Sequence, residues 1–353
     1  MAPTCPLLAG AAGSLSRRRL LKLALAQGTG LLLPAALAGC RRPEGALLLA
    51  ARGSMPPAWL EALPPPWRSQ LVDSVDAVVR PLKPERGHRD GLPALVSLAD
   101  GWASELPLHR LQPFGAPGVL ARLAAAAQPL SRLHRSQGQP ALAFPWAFSP
   151  WVIVLRSQPT LALRALGPEG WGVLTDPALK GRLVLPSSPR VAIEISGGDL
   201  GRLQALRAQA LAYNDTDALN LLLSGEAAAA VVPLQRLIPL LRRDQRLQVV
   251  LPSSGAPLSW QLLLRPAGAA AQPPLEWLGA LLEPPLLPRL LAGGWVPPLP
   301  RRALAPAVAQ LPQPLAALLL PSEAVLQRCW SLPPLGLERR LALQTLWDAA
   351  APP

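Results

Sequence analysis

The stretch Ala141-Leu142-Ala143-Phe144-Pro145-Trp146-Ala147-Phe148-Ser149-Pro150-Trp151-Val152-Ile153-Val154-Leu155 decides the architecture. Two prolines exclude a helix through its middle, and the closing Val-Ile-Val run favours extended chain. Four aromatics along one long extended segment are the composition of a strand crossing between two lobes. Upstream, residues 46–51 read as a buried parallel strand feeding the loop Arg52-Gly53-Ser54. Pro56 and Pro57 open a helix-like stretch through Trp59 to Leu63. Residues 74–79 read as a second strand and residues 93–98 as a third, with Asp100-Gly101-Trp102 at its exit. Downstream, residues 170–186 read as helix, turn and strand. Residues 218–232 read as a helix, a glycine stop and another strand. The strand at 247–251 leaves through Pro252-Ser253-Ser254-Gly255, a return crossing, and a proline-bracketed helix follows over 275–282. Strands alternating with helical stretches predict an α/β fold. Ligands of such sheets sit beyond the carboxyl ends of the strands, at the loops 52–54 and 97–102.

Five of these stretches, in this order, resemble the bacterial extracellular solute-binding proteins of ABC transporters, in their spermidine/putrescine branch. They are residues 94–114 (Leu95-Val96-Ser97-Leu98-Ala99-Asp100-Gly101-Trp102, then Leu111-Gln112-Pro113), 144–155, 171–190, 221–232 with Ser224-Gly225-Glu226-Ala227-Ala228, and 275–298 with Gly294-Trp295-Val296-Pro297. The resemblance covers about residues 46–300. It implies a two-lobed periplasmic-binding-protein fold of type II, with two crossover strands and a cleft that closes on a solute. Residues 46–145 and 255–300 form lobe one and residues 150–250 lobe two, with 301–353 as C-terminal helices packed on lobe one. It further implies a monomeric, non-catalytic receptor without cofactor or metal, which binds a small solute, a polyamine by resemblance, and delivers it to an inner-membrane permease. The ligand-binding candidates are Arg52, Ser54, Ser97, Asp100, Trp102, Trp146, Ser149, Ser188, Arg190, Trp260 and Gln261.

Polyamines need carboxylates for their ammonium groups and aromatic faces for their methylenes. Where the resemblance implies three such carboxylates, this chain has Ser188, Val191 and Gln261. Glu194, Asp199 or Asp100 could substitute from neighbouring positions. Arg52 and Arg190 instead suit a carboxylate or phosphate ligand. An anionic organic solute is therefore the alternative substrate, and a lipoprotein sensor or scaffold without transport is the alternative function.

The amino terminus speaks for export. Ser16-Arg17-Arg18-Arg19-Leu20-Leu21-Lys22 resembles a twin-arginine signal, and Leu37-Ala38-Gly39-Cys40 resembles a lipobox whose cysteine is lipidated. Residues 1–39 are expected to be the signal peptide, and Cys40 the anchor of a periplasmic protein tethered to the membrane. Between them, residues 23–38 fall short of the roughly 20 apolar residues that span a bilayer. The formal charge is +13, but beyond residue 39 the cations are scattered in ones and twos with no basic stripe among aromatics, which argues against nucleic acid. With Cys5 in the signal and Cys40 lipidated, Cys329 has no disulfide partner. Tyr213 is the single tyrosine, which excludes a ferric-ion binder built on a tyrosine pair. His88, His109 and His134 lack metal-ligand spacing, and the chain has no G-x-S-x-G or H-E-x-x-H hydrolase motif.

Overall fold

In the computed structural model, which describes residues 45–83 and 92–352, ten strands are linked through one long member. The strands are β1 (Leu47–Ala51), β2 (Arg68–Val72), β3 (Leu95–Ala99), β4 (Ala143–Arg156), β5 (Leu183–Leu185), β6 (Ala210–Tyr213), β7 (Ala229–Pro233), β8 (Leu247–Val250), β9 (Pro257–Leu264) and β10 (Trp330–Ser331). The spatial order is β2-β1-β3-β9-β4-β7-β5-β6, with β8 also on β4 and β10 on β9. The export pattern at 16–40, Cys40 and His88 lie outside the described residues. Among the described residues no helix is long and apolar enough to cross a membrane.

The long strand β4 changes partners along its length. Ala143 to Pro150 run antiparallel to β9, with a register shift between Pro145 and Ala147. Trp151 to Leu155 then run antiparallel to β7, and Ile153 to Arg156 to β8. A proline lacks the N–H that a ladder requires. Pro145 stands at the register shift, and Pro150 at the last residue before the change of partner, which is where missing donors are tolerated. The return connection runs from β8 through residues 251–256 into β9.

Alternation of side chains across β4 divides the interior. Val152 and Val154 join a cluster that extends from the first sheet through the crossing, while Ile153 and Leu155 join a second cluster on the opposite face. The same division separates Ala230 and Val232 from Ala229 and Val231 on β7. The second sheet is thus covered on both faces, as parallel strands β5, β6 and β7 require.

Two segments depart from the sequence-based expectation. Residues 74–79 form a helix, Val75–Val79, because Ser74 caps it by accepting the Ala77 N–H at 3.2 Å. The strand of that region is β2, a polar edge whose sequence lacks an apolar run. The second departure is at the carboxyl end. Helices Arg301–Val308 and Gln313–Leu319 bury Leu304, Val308, Leu315 and Leu319 in the first cluster. The last helix, Leu337–Ala349, instead packs on lobe two, where Leu343, Leu346 and Trp347 lie against the second cluster and Arg207 donates to the Trp347 carbonyl. Packing of all of 301–353 on lobe one is therefore corrected: Trp347 is drawn to lobe two by the Arg207 guanidinium, 3.8 Å from its ring.

Candidate functional site

The segment 330–332 links side chains on the two sides of the crossing strands. Asp100 follows β3 as the first residue of helix Asp100–Ser104 and is 9% exposed. Its Oδ1 accepts the Trp260 N–H of β9 at 3.3 Å. Burial pushes its carboxyl up from 3.8 to about 6, against the pull of backbone N–H groups and the Arg190 charge.

Arg190 comes from lobe two, in the first turn of helix Pro189–Ile195. Burial lowers its pKa, while Glu194 and then Asp100 favour its charged form. Its Nη1 donates to the Leu332 carbonyl at 3.5 Å, and its Nε is buried without a hydrogen bond, 3.9 Å from Glu194 Oε1. One helical turn on, Glu194 Oε2 accepts from Trp330 Nε1 at 3.2 Å. His134 sits half-buried with φ 59°, its pKa lowered by burial and by Arg190. Behind these groups Trp260 Nε1 donates to Ser331 Oγ at 3.0 Å, and β10 pairs in parallel with the start of β9. A cavity of about 710 Å³ borders Glu194 and Trp330 on the lobe-two side, lined also by Trp171, Ser196, Arg202 and Ser254.

Of the residues singled out from sequence, Asp100 bonds Trp260, and Arg190 reaches Leu332, next to the Ser331 that Trp260 bonds. Trp102 is nearby in sequence to Asp100 and 42% exposed, on the outer surface of its helix. Gln261 is half-buried on β9, opposite Ala99 and Ala147. Several others serve the scaffold. Trp146 is fully buried, 5.1 Å from the Trp59 ring and 4.9 Å from Trp295, so no ligand reaches it. Ser149 Oγ accepts the Gln235 N–H at 2.9 Å, tying the crossing strand to the exit of β7. Ser54 Oγ donates to the Ala51 carbonyl at 2.7 Å, closing its own turn. Arg52 forms an exposed pair with Asp73 at 3.3 Å. Ser97 is 2% exposed with an unpartnered Oγ.

The helix after β5 rearranges the carboxylate question. Ser188 is an exposed cap without a side-chain bond, and Val191 is 2% exposed in the second core, so neither faces the other lobe's Asp100. Arg190 and Glu194, four residues apart, instead reach the 330–332 segment, Arg190 at the Leu332 carbonyl and Glu194 at Trp330 Nε1. Asp199 is spent on capping the Arg202 N–H at 2.8 Å. His134, Trp330, Ser331 and the Leu332 carbonyl have no signature in the sequence. Their contacts span 136 residues for Glu194 and Trp330 and 71 for Trp260 and Ser331. The spacing of Arg190 and Glu194 was legible: Pro189 at a helix start followed by Val191, Ala192, Ile193 and Ile195 turns both charges to one side. Among the described residues no cluster of His, Cys, Asp and Glu could hold a metal.

No protein-family model matches the sequence, and no curated protein does. Solved structures match its fold. The spermidine/putrescine ABC transporter substrate-binding protein PotD of Streptococcus pneumoniae superposes with a TM-score of 0.67 at 14% identity, over 87% of this chain and 98% of that one. A PotD lipoprotein of Treponema pallidum gives 0.63 at 12% identity, over 87% and 99%. The binding protein AgtB of A. tumefaciens R10, solved with agropinic acid, gives 0.57 at 15% identity, over 87% and 98%. The chain has the mixed α/β fold of periplasmic binding proteins.

Proposed function

We propose that this chain is the substrate-binding component of an ABC transporter, which takes a small charged organic solute between its lobes and hands it to a permease. What carries this is the placement of buried Asp100, bonded to Trp260 of β9, and of Arg190, whose guanidinium reaches Leu332 next to the Ser331 that Trp260 bonds, on the two sides of the crossing strands. Charges contributed by both lobes are satisfied together only when the lobes close on a ligand of complementary charge. The fold likeness supports the same role, since the matched chains are transport receptors by description. The matched chains are binding proteins by description, which supports binding rather than turnover.

A polyamine is what the pneumococcal protein is described as binding. In this chain its ammonium groups would have Asp100 and Glu194, in place of the acids absent at Ser188, Val191 and Gln261. They would also face Arg190. That like charge offsets part of the ~1.5–3 kcal/mol that one charge-assisted hydrogen bond contributes. A purely cationic ligand is therefore disfavoured relative to one that also offers an anion.

Thermal melts of the protein with polyamines, amino acids, organic acids and phosphate test the function. A ligand at ~100 times its dissociation constant adds ~2.7 kcal/mol, a rise of several degrees. A folded protein that ignores every solute would favour the sensor or scaffold role. Export and tethering rest on the twin-arginine and lipobox patterns, with Cys40 as the anchor. Cys40→Ala should move the protein from the membrane fraction to the soluble periplasm.

A further inference from the structure

We propose that the groove between β8 and the helix Gln313–Leu319 binds the hydrocarbon chain of a free fatty acid, with its carboxylate on Arg242. The site is separate from the solute site above, since no residue of that cluster lines the groove.

The groove encloses about 620 Å³, within the roughly 300–1,000 Å³ of small-molecule sites. Leu247, Val249 and Leu251 supply one wall, along and just past β8, and Leu315 and Leu318 supply the other. Twelve of the thirteen lining residues are apolar, and Arg242 is the exception. Three of the twelve are prolines, which bring no N–H donor. A water settles in a cavity only where about two to four polar partners meet it, and a peptide backbone needs donors and acceptors for its own groups. These walls offer few of either, so hydrocarbon is what they fit.

The apolar surface continues past the groove. Leu166, which lines it, is 57% exposed, and Leu163, on the same face of helix Pro159–Leu166, is 71% exposed. Single exposed leucines are ordinary, but two beside a groove of the same character make a contiguous patch, and such patches mark binding surfaces.

Charge selects among hydrocarbons. Arg242 follows helix Ile238–Leu241 and is exposed. Asp244, the acid nearest to it in sequence, is taken by Arg246 at 2.6 Å. Among the described residues Arg242 pairs with no carboxylate. A planar guanidinium beside an apolar groove matches a chain that ends in a carboxylate, which it can hold by two parallel bonds. Arg243 adds a second positive charge, which repels a cationic amphiphile.

Calorimetric titration of the protein with octanoate, decanoate and laurate, each below its micelle concentration, tests this. Dodecanol, dodecylamine and phosphatidylglycerol vesicles are the comparisons. Laurate should bind one to one and at least tenfold tighter than dodecanol or dodecylamine, and each added methylene should tighten binding about fourfold. Arg242→Gln should weaken laurate at least tenfold, and Arg242→Lys should restore part of the loss. Ala317→Trp fills the groove from an exposed position and should abolish binding. Melting curves establish that each variant is folded. Laurate binding that survives Arg242→Gln and Ala317→Trp unchanged overturns the proposal, as does dodecanol binding as tightly as laurate. With laurate inert, binding to the vesicles assigns the patch to a membrane surface, and a dimer lost in Ala317→Trp assigns it to a second copy of the chain; either result overturns the fatty-acid site.

Discussion

Around Trp59 the first lobe stacks indole on indole, whereas around Trp347 the second lobe closes with one indole, one phenol and one guanidinium. Trp59 and Trp277 lie 4.1 Å apart at 8° and exchange reciprocal bonds, each Nε1 donating to the other's carbonyl at 3.0 and 2.7 Å. Trp146 and Trp295 extend the stack, and all four are at most 8% exposed. In lobe two, Arg207 lies 3.8 Å over Trp347 and 5.8 Å over Tyr213, whose ring meets Trp347 edge-on at 5.5 Å. Tyr213 is 37% exposed. One cluster is dry and independent of charge. The other is half-wet and depends on a helix added from a distant part of the chain. Local opening is expected to start in the half-wet cluster, where apolar contacts are fewest.

The sharpest way to break this comparison is Trp59→Ala. It removes a fully buried indole and its Nε1 bond to the Trp277 carbonyl and should cost about 3–5 kcal/mol, read as a lowered denaturant midpoint of the whole protein. Trp347→Ala should cost less, about 1–3 kcal/mol from lost burial and cation–π contact. Hydrogen exchange should report it in lobe two, at β6 and helix Leu200–Arg207, with β1 and β3 unchanged. Equal losses of protection in both lobes would abolish the distinction.

Asp100 sharpens the comparison through pH. Its carboxyl holds a proton more tightly in the fold, near 6, than at its ordinary 3.8. Folding therefore takes up a proton between about pH 4 and 6. The stability tied to this group is fully present below pH 4, falls as pH rises through 6 and then levels, by up to roughly 3 kcal/mol. Asp100→Asn keeps an acceptor for the Trp260 N–H and should gain on the parent across that window. A constant difference from pH 4 to 7 would show that Asp100 is solvated. The smallest effect belongs to Arg340→Ala. Arg340 Nη2 lies 3.3 Å from Glu105 Oε1, with side chains 55% and 62% exposed, so its loss should change stability by less than about 1 kcal/mol. That pair joins the lobe-two helix to lobe one, however, and its removal should enlarge the radius of gyration of the ligand-free protein by small-angle scattering.

Most of the fold was legible because its signals are local. β1, β3, β4, β7 and β9 coincide with apolar runs, and Gly225, at φ 91°, ends its helix as the sequence suggested. β2 was not legible, since Arg68-Ser69-Gln70 is an edge with no apolar run. Nor was β10, two residues long and held by pairing with Pro257 and Leu258. In the candidate site, Asp100, Arg190 and Trp260 were accessible from strand exits and resemblance. Trp146 could not be assigned from the sequence, because an aromatic on a crossing strand reads alike whether it faces a ligand or another tryptophan. Only the distant partners Trp59 and Trp295 decide that.

The C-terminal segment also sets the order in which this protein can be finished. Gly255 has φ 89°, and any Cβ there would strike the Arg328 carbonyl, so the return crossing is shaped to receive residues not yet made when it emerges from the ribosome. Lobe two has its last strand by Val250, yet its surface waits for Trp347 and Ala350. At about 5–20 residues per second, that wait is roughly 5–20 s. Until those residues arrive, the second cluster keeps an uncovered apolar face.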